Sequence, residues 1–147
     1  MRKLVGCLAV AVMIACSPDT PIAPDGTFVG SYALTTVNHL AVPAVTFQDT
    51  LTQKKDEFLS GTLSIASRRV GPVAVPTYTL TLTERLTRGG TITVQNVLAS
   101  GTWKSANSSD FVFSGDSSNV FSPVTWFYSN RSMSLSTIDL LLTFKQE

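Results

Sequence analysis

Apolar and polar residues alternate along most of the chain after residue 27, and the clearest case is "TYTLTLTERL". There Tyr78, Leu80 and Leu82 are separated by single threonines. Successive side chains of a strand point to opposite faces, so this pattern predicts a β-strand with one buried face. A less regular form of the same period occurs in "TFVGSYALTTVN", "AVTFQDTL", "EFLSGTLSIA", "TITVQNVLASGTW", "DFVFSG", "PVTWFYS", "SMSLST" and "DLLLTFK".

The connections between these segments are short and rich in turn-forming residues. Arg88-Gly89-Gly90 separates two alternating runs, and a Gly-Gly pair there is a strong hairpin signal. Asn130-Arg131 predicts another tight turn. No segment after residue 26 has helical periodicity. We therefore expect an all-β antiparallel domain of eight or nine strands, closed as a barrel or, alternatively, folded as a β-sandwich.

The N-terminal segment has a different pattern, typical of an exported protein. Arg2 and Lys3 precede an apolar run over residues 4–15, which is too short to span a bilayer as a helix. The run ends at "MIAC", which resembles the bacterial lipobox, the signal for cleavage before a cysteine that is then acylated. We expect residues 1–15 to be a cleaved signal peptide, removing Cys7, and Cys16 to carry the lipid.

The predicted mature chain has a tether and one domain. Residues 16–26 contain the acylated cysteine and a Pro/Asp-rich spacer, and residues 27–147 form the β domain. Several acyl chains, such as palmitate, would hold Cys16 firmly in a membrane. Ser17 after the cysteine favours the outer membrane in bacteria that have one. The expected location is therefore the bacterial cell envelope.

Composition and charge serve mainly to exclude classes of function. Charged residues make up 14% of the 147 residues, and the net charge of +1 falls to about −1 when Arg2 and Lys3 are removed. Such a near-neutral chain has no basic stretch that would indicate nucleic-acid binding. The mature length suits one domain with its own core.

The residue types needed for catalysis are sparse. His39 is the only histidine, and no serine lies in a nucleophile-elbow motif. A zinc site lacks its usual ligands, and "GDSSN" at 115–119 lacks the spacing of a calcium loop. We therefore expect a protein that is not an enzyme and that uses no metal or cofactor.

Several short motifs together resemble bacterial lipocalin-like lipoproteins. They are the lipobox and tether, "G-x-Y-x-L-x-x-V-N" over residues 30–38, the recurrent "SGT" and the terminal strand "DLLLTFK". Lipocalins usually open with Gly-x-Trp, whereas this chain has Gly30-Ser31-Tyr32 there and Gly101-Thr102-Trp103 later. The resemblance implies an eight-stranded barrel that holds one small apolar or amphipathic ligand and has no catalytic residue.

Polar residues within apolar registers are the candidate ligand-orienting groups. Asp49 continues the face of Val45, Phe47 and Leu51; Glu84 continues that of Tyr78, Leu80 and Leu82; and Asn96 continues that of Ile92, Val94 and Leu98. An unpaired buried carboxylate is costly, so such groups need a partner or a wet cavity. The alternative is that they face outward, with Arg85 or Arg88 neutralising Glu84. The predicted lining comprises Tyr32, Asp49, Glu84, Asn96, Trp103 and Trp126.

Two functions remain open at this point. One is a membrane-anchored binding protein whose barrel takes a small hydrophobic molecule. The other is a structural or protein-interaction module of the envelope, with a packed interior and contacts through loops such as "SRRVGPVAVP" at 67–76. Small eight-stranded barrels can be narrow enough for side chains to fill them, so interior volume discriminates between the two.

Overall fold

The computed structural model describes residues 28–106, 109–115 and 124–147. The predicted signal peptide, Cys16 and the tether lie outside these residues, as does most of the "GDSSN" segment. The strands are β1 (Gly30–Val37), β2 (Leu40–Ala41), β3 (Ala44–Asp49), β4 (Lys54–Val70), β5 (Val73–Arg88), β6 (Thr91–Ser105), β7 (Asp110–Gly115), β8 (Val124–Ser129), β9 (Ser132–Ser136) and β10 (Leu141–Gln146). The described part of the chain contains no helix, hence none that is long and apolar enough to cross a bilayer.

The strands form one closed antiparallel barrel. Neighbouring strands follow the order β2-β1-β10-β9-β8-β7-β6-β5-β4-β3, and an additional pairing of β1 with β4 closes the ring. Eight strands therefore make the barrel, while β2 and β3 are attached to its rim. The prediction of an all-β antiparallel barrel is confirmed, and the chain does not fold as the alternative β-sandwich.

The predicted period of two determines which side chains fill the barrel. Tyr78, Leu80 and Leu82 are buried, and Leu80 lies opposite Leu63 on β4 and Ala99 on β6. The threonines between them are partly or fully exposed on the outer face. Burial of each inward leucine contributes roughly 1.5–3 kcal/mol relative to an exposed position.

Aromatic rings pack at the end of the barrel where β1 begins. Phe28 stacks on Phe111 with ring centroids 3.9 Å apart, and the edge of Trp103 meets Phe28 at 5.0 Å. Gly101 allows this packing, because a Cβ there would lie 2.1 Å from the carbonyl oxygen of Ser114 on β7. The glycine in Gly101-Thr102-Trp103 thus lets β6 approach β7 closely while the indole turns inward.

Both tight turns predicted from the sequence are present. Gly89 and Gly90 have φ of 56° and 85°, and Asn130 and Arg131 have φ of 50° and 60°. Positive φ at both central residues is the geometry of type I′ hairpin turns, which match the right-handed twist of the strands. These turns connect β5 to β6 and β8 to β9.

Three strands continue well beyond the barrel. β4, β5 and β6 have 17, 16 and 15 residues, yet β1 pairs with β4 only over residues 62–65 and β7 pairs with β6 only over residues 101–105. Residues 54–58, 83–88 and 91–96 form, with β3, a four-stranded sheet that we call the extension. It lies at the end of the barrel away from the start of β1.

One predicted face does not form. Val45 and Phe47 are separated by a register shift, so the alternation of β3 is interrupted. The strand then ends at Asp49, and Leu51 lies almost fully exposed in the following turn. A bulge inserts an extra residue and rotates the residues after it, which a sequence alternation does not reveal.

Candidate functional site

The barrel interior contains three of the predicted ligand-lining residues. Tyr32, Trp103 and Trp126 are 0%, 7% and 1% exposed. Each is packed among other core side chains: Trp126, for example, lies 5.0 Å from Phe113 and 5.7 Å from Phe144 between ring centroids. These residues face inward as expected, and apolar side chains occupy the space around them.

Tyr32 has a structural hydrogen bond. Its hydroxyl donates to the carbonyl oxygen of Phe28 at 2.6 Å, which ties the start of the domain to β1. Burial, with a smaller contribution from Tyr128, raises the pKa of Tyr32 to about 12. The hydroxyl is therefore neutral at physiological pH, and its proton is engaged in the hydrogen bond to Phe28.

Two buried indole N–H groups inside the barrel have no hydrogen-bond acceptor among the described residues. Nε1 of Trp103 and Nε1 of Trp126 are buried, and no described residue accepts a hydrogen bond from either. A buried donor without a partner costs about 1–3 kcal/mol, and such groups are rare in native proteins. These N–H groups are the polar features of the interior that a small acceptor could use.

Asp49 lies outside the barrel interior, at the end of β3. Its carboxylate accepts hydrogen bonds from the N–H groups of Leu51 and Thr52 and from the Thr52 hydroxyl. The hydroxyl of Thr52 is the main cause of a lowered Asp49 pKa. Asp49 therefore closes the turn between β3 and β4, a common role for aspartate in turns.

Glu84 and Asn96 both lie on the extension, on opposite faces. Glu84 is half-buried and accepts a hydrogen bond from Nε2 of Gln95 at 3.1 Å. Asn96 is exposed and accepts one from the Thr83 hydroxyl at 3.0 Å. The six predicted lining residues are thus divided between the barrel interior and the extension, and the structure does not bring them together in one pocket.

The two arginines expected near Glu84 pair with other carboxylates. Arg88 binds Asp56, and Arg85 donates from Nε and Nη2 to one oxygen of Glu57 at 2.9 and 2.6 Å. Glu57 is 7% exposed, and Lys55 approaches the same oxygen at 3.3 Å. The hydrogen bonds from Arg85 are the main reason that the pKa of Glu57 is lowered. Sequence reasoning missed this cluster, because the pairing of β4 with β5 is not readable from either strand alone.

A shallow, open groove lies at the tip of the extension. It has a volume of about 320 Å³ between the β3–β4 turn and the β5–β6 turn. Its lining residues are Gln48, Asp49, Thr50, Gln53, Lys54, Lys55, Thr87 and Gly90. The groove is open to solvent, unlike the enclosed pockets that hold small hydrophobic ligands.

The apolar register of β6 faces solvent, both in the extension and on the adjoining outer face of the barrel. Ile92, Val94 and Leu98 are 64%, 58% and 70% exposed. They share a face with Arg85 and Glu57, opposite the face that fills the barrel. The sequence placed these residues on an apolar face that we expected to be internal. The structure corrects this, because the inward register of β6 is the alternate one, which contains Val97, Ala99 and Trp103.

Comparison with known proteins identifies no relative: no protein-family model, curated protein or solved structure matches the chain. The described residues contain no group of three or more His, Cys, Asp or Glu side chains placed to hold a metal ion. The fold itself defines the class, a closed antiparallel eight-stranded β-barrel with two additional strands. Function is therefore inferred from the geometry of the barrel and its extension.

Proposed function

We propose that this chain is a non-enzymatic, lipid-anchored protein of the bacterial cell envelope that works through contacts made on the outside of a packed β-barrel. The observation that carries the proposal is the filled interior. Inward side chains on all eight barrel strands are buried, from Tyr32 on β1 to Phe144 on β10. Barrels of this size are just wide enough for such side chains to fill them.

The proposed anchor gives the barrel an orientation. The described part of the domain begins at Phe28, so a lipid on Cys16 would lie twelve residues before that point. A Pro-rich spacer of this length reaches roughly 37 Å at about 3.1 Å per residue. The extension lies at the other end of the barrel, so it would point away from the membrane and be accessible to partners in the envelope.

A second candidate is the binding of a small apolar or amphipathic molecule inside the barrel. The free indole N–H groups of Trp103 and Trp126 favour it, because a ligand with an acceptor oxygen would satisfy a donor that lacks a partner among the described residues. The resemblance to lipocalin-like lipoproteins points the same way. Such a ligand would have to displace or rearrange the aromatic rings that surround these groups.

Native mass spectrometry separates the two candidates. Residues 17–147 contain every described strand and would be purified without lipid or detergent. We expect a mass equal to that of the polypeptide and no uptake of an apolar fluorescent probe. A discrete additional mass that disappears on denaturation would instead establish the binding function. Trp126→Phe then serves as the matched variant, because it removes the indole N–H and keeps an aromatic ring.

The anchor has its own test. We expect Cys16→Ser to abolish acylation and release the protein from membranes, measured by metabolic labelling with a fatty acid and by phase partitioning in detergent. Cys7→Ser is the control and should leave labelling unchanged, because Cys7 lies in the predicted signal peptide. Persistent labelling of Cys16→Ser would contradict the proposed anchor.

A further inference from the structure

We propose that the free edge of β6 in the extension pairs with the same edge of a second copy of this chain. The surface consists of residues 91–98, with Ile92, Val94 and Leu98 on its outer face. The inference rests on the proposed contact function and names one surface and one partner for it.

Among the described residues, β6 has a partner strand on one side only for most of its length. β5 pairs with β6 from Thr91 to Thr102, and β7 pairs with it only from Gly101 onward. On the side away from β5, no described strand pairs with residues 91–100. A row of unpaired backbone N–H and C=O groups is a template for another strand.

The backbone groups and the exposed side chains belong to the same residues. Arg88 and Thr91 close the two-residue turn, so they form a hydrogen-bonded pair. Hydrogen-bonded and non-hydrogen-bonded pairs alternate along an antiparallel ladder. The N–H and C=O groups of Ile92 and Val94 therefore point away from β5, toward the position of an added strand.

β6 lacks the features that usually prevent edge pairing. No charged residue occurs between Arg88 and Lys104, and residues 91–105 contain no proline. The β5–β6 ladder runs without a register shift. By contrast, β3 on the other side of the extension has only six residues, a register shift and a terminal aspartate. Lysine, proline, bulges and short strands are the usual protection of edges, so β6 is the unprotected edge.

A second copy fits this edge better than a charged partner does. A two-fold axis perpendicular to the sheet near Val94 places two uncharged strands side by side, without like-charge repulsion. The outer faces of both copies then become one continuous surface, on which the apolar side chains of one β6 contact those of the other. The paired extensions would form a single eight-stranded sheet, with strands β3 to β6 from each copy.

Sedimentation velocity of the full 147-residue chain in mild detergent and reductant tests the inference. We expect a reversible dimer whose fraction rises with protein concentration. Val94→Lys puts an ammonium group on the edge and should raise the dissociation constant about tenfold or more. Thr62→Lys is the matched control: it adds the same charge at an exposed outer position on β4, but between β1 and β5, and should dimerise as the original chain does.

A second variant avoids the charge introduced next to Arg85. Val94→Pro removes an N–H that points away from β5, and proline is tolerated on a strand edge in that orientation. Hydrogen exchange provides the local readout, since amides of Ile92 and Val94 should be protected in proportion to the dimer fraction. Loss of the dimer in both Val94 variants and its retention in Thr62→Lys support the inference.

A monomer at all concentrations, or a dimer that both Val94 variants form as tightly as the original chain, overturns it. These outcomes are distinguishable from failure of the proposed function. A ligand found inside the barrel by mass spectrometry would replace the contact function while leaving the dimer measurement unchanged. If the protein is monomeric and no ligand is found in the barrel, the inference about the β6 edge fails, while the proposed contact function stands.

Discussion

The barrel and the extension share three strands but differ in what covers them. On β5, Tyr78, Leu80 and Leu82 are buried by the surrounding barrel, whereas Glu84 and Leu86, next on the same face, are only half-buried. The backbone continues without a break in its pairing to β6. Burial on this face therefore depends on which strands lie across the barrel from it, and one strand contributes both to the core and to a partly exposed surface.

β6 shows the same contrast in its side chains. Trp103, near its end, is packed in the barrel, whereas Gln95, on the same face near the start of the strand, is exposed. Polar groups in the extension are held by pairs such as Glu57 with Arg85, and the barrel is held by apolar contact. We therefore expect the barrel to determine the stability of the protein and the extension to provide its contact surface for partners.

The largest expected effect is that of truncating a buried aromatic ring of the barrel, compared with a ring on the outer face of the barrel. Phe113→Ala removes a fully buried ring that stacks on Tyr78 at 4.6 Å, and we expect it to lower the free energy of unfolding by about 3–5 kcal/mol. Phe127→Ala removes a half-exposed ring from neighbouring β8 and should cost less than about 1 kcal/mol. Urea denaturation of residues 17–147 measures both, and similar losses would contradict the packed-barrel description.

A backbone contact of the barrel should give the next largest effect. In Gly101→Ala the new Cβ meets backbone atoms of Ser114 and Gly115, which cannot move aside as a side chain can. We expect a loss of about 1–3 kcal/mol from the strain of separating β6 from β7. Ser100→Ala, at an exposed neighbouring position, is the control and should unfold at nearly the original urea concentration.

The ion pair of the extension should contribute less, and in a pH-dependent way. Glu57→Gln leaves the Arg85 guanidinium without its charged acceptor and should cost about 1 kcal/mol at neutral pH. The pKa of Glu57 is lowered in the folded protein, so its stabilisation is complete above the unfolded value near 4.5 and is lost as pH falls through the folded pKa. The difference in free energy of unfolding between Glu57→Gln and the original protein, measured in urea, should therefore decrease below pH 4.5. A difference that stays constant with pH would exclude the charged pair as its cause.

The smallest effect on stability is expected on the exposed face of β6. Ile92→Thr keeps a β-branched side chain and removes apolar surface that already contacts solvent, so the change should lie within about 0.5 kcal/mol. If the β6 edge pairs as proposed, the dimer of Ile92→Thr should have a higher dissociation constant than that of the original chain. A large loss of stability in dilute protein would mean that Ile92 is covered within one chain.

The sequence predicted much of the fold and little of the candidate site. Nine segments were expected to be strands, and each corresponds to a strand, the two-residue β2 being the addition. The inward positions of Tyr32, Trp103 and Trp126 followed from alternation. Asp49, Glu84 and Asn96 were placed by the same rule, but a strand end, an extension beyond the barrel and an outward face gave them other surroundings.

The local features of the fold follow from the sequence. They are the extended segments, the turns at Gly89-Gly90 and Asn130-Arg131, and the sets of side chains that share a face of each strand. These properties depend on the conformational preferences of neighbouring residues. Three features depend on the tertiary structure: β1 pairs with β4, β3 lies outside the barrel, and the start of β6 has no described strand on the side away from β5. Each of these depends on the register between strands distant in sequence, and that register is set by the packing of the whole core.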